Sequence, residues 1–108
     1  MIIKDKNLYM DAINTFGADL QKVVAIEECS ELIKELTKAL RGKGNFDNLS
    51  EEIADVEIML EQIKLIYDNQ ERVNYYIMKK NSRIAYMIED CKKYIRDIKG
   101  AQNVNNCE

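Results

Sequence analysis

The sequence predicts an all-α protein, a four-helix bundle with a long C-terminal helix that assembles as an oligomer. Three observations carry the helical part. Proline is absent and glycine occurs four times in 108 residues, whereas a β protein of this size needs turn residues at short intervals. Glu, Lys, Leu, Ile and Ala are abundant, a composition that favours helix. The few breakers fall between long stretches whose apolar residues recur at helical spacing.

A first helix is expected from about Asn7 to Phe16, with Leu8, Ala12, Ile13 and Phe16 on one side and Gly17 as its stop. A second runs from about Ala18 to Leu40 and ends before Arg41-Gly42-Lys43-Gly44-Asn45. Asn48 or Ser50 is placed to cap a third helix, with Glu51 and Glu52 favourable in its first turn. That helix continues to about Tyr67, where Asp68-Asn69 offers a break. The fourth spans about Glu71 to Lys99, with Gly100 as terminator and residues 101–108 as a frayed tail. One domain over residues 1–100 fits this length. The fourth helix would measure roughly 45 Å against roughly 35 Å for the second. Ile88, Cys91, Ile95 and Ile98 continue its apolar stripe into the overhang, so a second subunit is expected to cover them, in a homodimer or homotetramer.

Composition excludes several function classes. A net charge of −3 and a pI near 5.1 do not suit a protein that coats nucleic acid. No apolar run approaches the roughly 20 residues that span a bilayer, and the N-terminus lacks the apolar core of a signal peptide, so no membrane partner and a cytoplasmic location are expected. Cys29, Cys91 and Cys107 show no CxxC spacing; the first two read as small core residues and the third as a tail thiol. Histidine is absent, which leaves carboxylates, lysines, arginines and a metal to perform any chemistry.

The chemistry-bearing pattern is Glu27-Glu28-Cys29-Ser30-Glu31, answered by Glu52-Ile53-Ala54-Asp55. On the second helix Leu20 and Val24 define a face on which Glu27 and Glu31 also fall, with Glu28 at its edge, while Cys29, Leu32, Leu36 and Leu40 form a separate apolar face. On the third, Glu52 and Asp55 lie within roughly 40° of Met59, Ile63 and Ile66, inside the apolar stripe, while Glu57, Glu61 and Lys64 share the solvated side. Carboxylates in a buried stripe need a compensating cation, and ligands that are all oxygen select Mg²⁺, Mn²⁺ or Ca²⁺. No EF-hand loop is present. A tight hairpin would leave the two acidic pairs about 10 Å apart along the axis, so the segment from Arg41 to Leu49 is expected to run back along the second helix. On the fourth helix Lys80 interrupts the stripe of Val73, Ile77, Ile84, Met87, Cys91, Ile95 and Ile98, with Arg83 one turn further on. Lys80 either snorkels outward or reaches the acidic centre or a phosphate bound there.

The order Glu-Glu-x-x-Glu, Glu-x-x-Asp, Lys-x-x-Arg resembles that of the MazG-like all-α nucleoside triphosphate pyrophosphohydrolases. The likeness covers roughly Phe16 to Arg83. It takes in Gly17-Ala18-Asp19-Leu20-Gln21 before the acidic motif, Arg41-Gly42-Lys43 after it, and Glu51-Glu52-Ile53-Ala54-Asp55-Val56. It implies that Glu28, Glu31, Glu52 and Asp55 hold Mg²⁺, for which Mn²⁺ can substitute, with Glu27 nearby. It further implies cleavage of a (d)NTP between the α and β phosphates to the monophosphate and pyrophosphate, a nucleotide-pool housekeeping reaction. Lys80 (or Lys79) and Arg83 match the family's basic positions, and Gln21 falls where relatives carry a glutamine near the substrate. In such chemistry the metal neutralises the triphosphate and lowers the pKa of the attacking water, and a carboxylate, Glu27 or Glu28, accepts the proton. Asn14, Phe16, Tyr67 and Tyr76 are candidate contacts to the base. Two alternatives stand beside this reading: a non-catalytic Mg²⁺- and nucleotide-binding regulatory module of the same fold, and a helical interaction protein whose acidic face meets a basic partner.

Overall fold

A computed structural model describes residues 5–106, with side-chain surroundings given for residues 5–102. Cys107 lies outside that range. The described residues form four helices and no strand: α1 (Asp5–Phe16), α2 (Ala18–Leu40), α3 (Phe46–Tyr67) and α4 (Gln70–Asn106). No described helix is long and apolar enough to cross a membrane. The chain divides into two compact units, Met1–Gln70 and Glu71–Glu108.

In the first unit α2 and α3 pack side by side with α1 against both. Gly17 sets the turn between α1 and α2. Its N–H donates to the Ile13 carbonyl (2.8 Å), closing α1, and its own carbonyl accepts from Gln21 N–H (3.1 Å), opening α2. At φ 94° and ψ 147° it occupies backbone space that is open to glycine and strained for other residues.

Gly42, at φ 74°, ends α2. Lys43 N–H donates to the Lys38 carbonyl (2.9 Å) and Gly42 N–H to Ala39 (3.0 Å), the paired bonds of a Schellman motif. Gly44 then lies against the last turn of α2, where an added Cβ would come within 3.0 Å of the Ala39 Cα. The connection is therefore shorter than the expected run from Arg41 to Leu49. Asn45, not Asn48 or Ser50, caps α3: its Oδ1 accepts from Asn48 N–H at 3.0 Å. Ser50 instead donates its hydroxyl to the Phe46 carbonyl (2.8 Å). Because α3 starts a turn early, Glu52 and Asp55 sit about 5 Å deeper in the helix, and the folded-back loop brings them level with Glu28. Asp68, at φ 49° and ψ 49°, closes α3 with its N–H on Lys64, a left-handed position that aspartate tolerates.

The inward face of α2 differs from both faces the apolar pattern offered. Its buried residues are Gln21 and Glu35, and those of α3 are Met59 and Gln62. Glu28 and Leu32 are half-buried. Cys29, Leu36 and Leu40, expected on a core face, are exposed. Among the described residues Met59 is the single buried apolar side chain. Gln21, Glu28 and Glu35 recur at seven-residue intervals and so share one helix face; this polar line, rather than the leucine line, meets α3.

The second unit is α4, 37 residues long and about 55 Å by helical rise. It continues through Gly100 to Asn106 instead of ending there. A glycine stops a helix when it takes the left-handed conformation; Gly100 is not among the positive-φ residues, no proline follows, and a helical glycine costs only about 1 kcal/mol. Cys91, expected in a core, is exposed.

Candidate metal centre

Antiparallel packing of α2 on α3 assembles the centre. Gln21 Nε2 donates to Gln62 Oε1 across the interface at 2.7 Å. Seven residues onward in α2 stands Glu28; seven residues back in α3 stands Asp55, with Glu52 one further turn back. Glu28, Glu52 and Asp55 each offer a carboxylate oxygen within 4.8 Å of the others, and all three are half-buried.

No basic side chain among the described residues pairs with it. The ion pairs among the described residues join Lys22 to Asp19, Lys38 to Glu35 and Lys64 to Glu61, leaving the three carboxylates out. Glu52 Oε2 is buried without a hydrogen-bond partner, a state that costs about 1–3 kcal/mol or more for a charged group. Burial, then the neighbouring Asp55 and Glu52 carboxylates, push the Glu28 carboxyl above its ordinary range. Such a group answers strain by keeping its proton, or by meeting a cation. The donor set is three hard oxygens on two rigid helices, which fits a small divalent ion.

Comparison of the chain with protein-family models, with curated proteins and with solved structures found no match. The centre must therefore be read from its own geometry.

That geometry gathers three of the four residues expected as ligands. Glu31 is exposed and lies outside the 4.8 Å cluster, because the face turned to α3 is the one carrying Gln21, Glu28 and Glu35. Glu27 is exposed beside Glu28. Gln21, expected near substrate, is 6% exposed and engaged with Gln62. Lys80 and Arg83 are exposed on α4, in the other unit. Lys79, on the same helix, lies over the Tyr75 ring at 5.4 Å.

Of the residues considered for a base pocket, Asn14 and Phe16 are exposed. Tyr67 lies under the Lys22 ammonium at 4.7 Å, and Tyr76 packs edge-on against Tyr75 with ring centroids 5.4 Å apart. Two buried polar residues escaped sequence reasoning. Gln62 is 4% exposed; its signal was a glutamine between Met59 and Ile66 in an otherwise apolar stripe. Glu35, paired with Lys38 at 3.3 Å, sits two heptads from Gln21, a period that an apolar pattern search does not see.

Proposed function

We propose that this protein is a Mg²⁺-dependent nucleoside triphosphate pyrophosphohydrolase of MazG-like type, converting (d)NTP to (d)NMP and pyrophosphate. The observation that carries the metal part is the Glu28–Glu52–Asp55 cluster with its buried, unpartnered Glu52 oxygen. The order of acidic and basic motifs supplies the substrate class.

On this reading Glu28, Glu52 and Asp55 hold the divalent ion. When bound, that ion supplies charge neutralisation at the phosphates and activation of water. A carboxylate that ligates a cation loses proton affinity, so the ligand role and the base role fall to different residues. Glu27, adjacent and exposed, is the proton acceptor; Glu28 orients. Lys80 and Arg83 match the basic positions of the family that the motif order resembles, where positive charge stabilises a departing pyrophosphate without a covalent intermediate. Self-association belongs to the same proposal. Leu36, Leu40, Ile84, Met87, Ile88, Ile95 and Ile98 are all at least 40% exposed, and apolar surface of this extent is a mark of a protein–protein contact.

The test is pyrophosphate and monophosphate release from a panel of ribo- and deoxyribonucleoside triphosphates with Mg²⁺. Turnover of at least one is expected, reduced at least about 100-fold in Asp55→Asn, since even groups supporting a metal ligand are worth 10–100-fold. Binding of Mg²⁺ and nucleotide with no turnover on any of them would leave the non-catalytic module as the function.

A further inference from the structure

The α2–α3 interface poses a register problem. Its buried residues are one methionine and three polar residues, Gln21, Glu35 and Gln62, while the aliphatic residues beside them, Val24, Leu32, Val56, Ile63 and Ile66 among them, are only half-buried. At the centre of the same interface three carboxylates within 4.8 Å repel one another. Half-buried aliphatic contacts and mutually repelling carboxylates favour a single axial position of α2 on α3 only weakly. Beside the Lys22 ammonium over the Tyr67 ring on the flank, the directional contact that joins the two inward faces is the Gln21–Gln62 bond, 2.7 Å long between side chains 6% and 4% exposed. It stands one heptad from Glu28 on α2 and one heptad from Asp55 on α3, so a slip that broke it would move those two carboxylates out of level by the same amount. A helical turn of slip is about 5.4 Å, larger than the cluster itself.

We infer that Gln21 and Gln62 form a register pin: a buried amide pair whose task is to hold α2 and α3 at the one offset that brings Glu28, Glu52 and Asp55 together. They are positioning residues, acting on the cation site from one heptad away. The physical basis is that a buried polar pair contributes little net stability against an apolar pair of the same shape, yet penalises every register in which it is unpaired. The consequence for cation affinity rests on the metal reading above; the consequence for register does not.

The test separates the two. In the 108-residue chain with Cys29, Cys91 and Cys107 changed to serine, spin labels at the exposed positions of Lys34 and Glu57 report the α2–α3 offset by electron–electron double resonance, diluted with unlabelled chain so that intrachain distances are read. The parent is expected to give one narrow distance. Gln21→Met with Gln62→Met, nearly volume-conserving and without hydrogen bonds, is expected to keep its helical circular dichroism and melting temperature while the distance broadens or shifts by about one turn, some 5 Å. Gln62→Glu, which keeps an acceptor for Gln21, is expected to retain the narrow parental distance. Mn²⁺ binding, read from the resonance of the free ion, should weaken at least tenfold in the double variant. A parental distance in the double variant overturns the pin, and so does loss of its helical signal, since the pair would then hold the fold rather than its offset. A parent that shows the distance shift on substitution but binds no Mn²⁺ upholds the pin and defeats the metal reading.

Discussion

Glu52→Gln is the most decisive single substitution, because it should stabilise the protein in one buffer and destabilise it relative to the parent in another. The cluster's nearest oxygens lie within 4.8 Å. Two full charges at that separation repel by ~1 kcal/mol in water and ~3.5 kcal/mol at an effective dielectric of ~20. Half-burial of all three residues puts the pairwise value between those limits, and the same repulsion, after burial, is what pushes the Glu28 carboxyl above its ordinary range. Removing the Glu52 charge should therefore raise stability without cation by about 1–2 kcal/mol, with the new amide donor finding an acceptor on either neighbour. For a chain of this size that is a rise in Tm of about 5–10 °C. Added Mg²⁺ reverses the order. At ~100 times its Kd a bound ion stabilises the parent by ~2.7 kcal/mol, and the variant, with one ligand gone, should gain little. Thermal melts followed by circular dichroism in EDTA and in Mg²⁺ test both halves. The reasoning is refuted if the variant melts at or below the parent in EDTA, or if Mg²⁺ shifts both proteins equally.

Three other predictions follow from particular residues. Folded Glu28 keeps its proton above the ordinary value of 4.5, so the folded state binds more protons than the unfolded one in the window from there up to its raised value. Stability without cation should accordingly fall as pH rises through that window, a slope that urea titrations would detect and that Asp55→Asn should flatten. Gly17→Ala should cost more than about 1 kcal/mol, because alanine is strained at φ 94° even though open space surrounds the new methyl; an unchanged urea midpoint would show that the turn relaxes. Light scattering on a size-exclusion column should give the mass of a dimer or tetramer, and a monomer at micromolar concentration would remove the assembly from the proposal.

The helix boundaries were legible wherever a local rule set them. Ala18–Leu40 follows from glycines at both ends, and Tyr67 from the Asp68 break. They were misread where two residues could play one part: Asn45 takes the capping role expected of Asn48 or Ser50, and Gly100 stays helical because nothing beyond it forces a stop. The acidic cluster was legible on α3 and only half legible on α2, for a single reason. On α3 the acidic residues share a stripe with Met59, so the apolar pattern pointed inward correctly. On α2 the inward face is Gln21, Glu28 and Glu35, and a search for apolar periodicity passes over it to the leucines on its flank. Glu28 therefore read as an edge residue and Glu31 as its equal, when the heptad Gln21–Glu28–Glu35 places only Glu28 opposite Asp55. An interface keyed by polar residues looks like surface in sequence. Period-seven recurrence of glutamine and glutamate marks Glu28 rather than Glu31 on α2, whereas Gln62 has Asp55 and Asn69 at its heptad neighbours and carries no such mark.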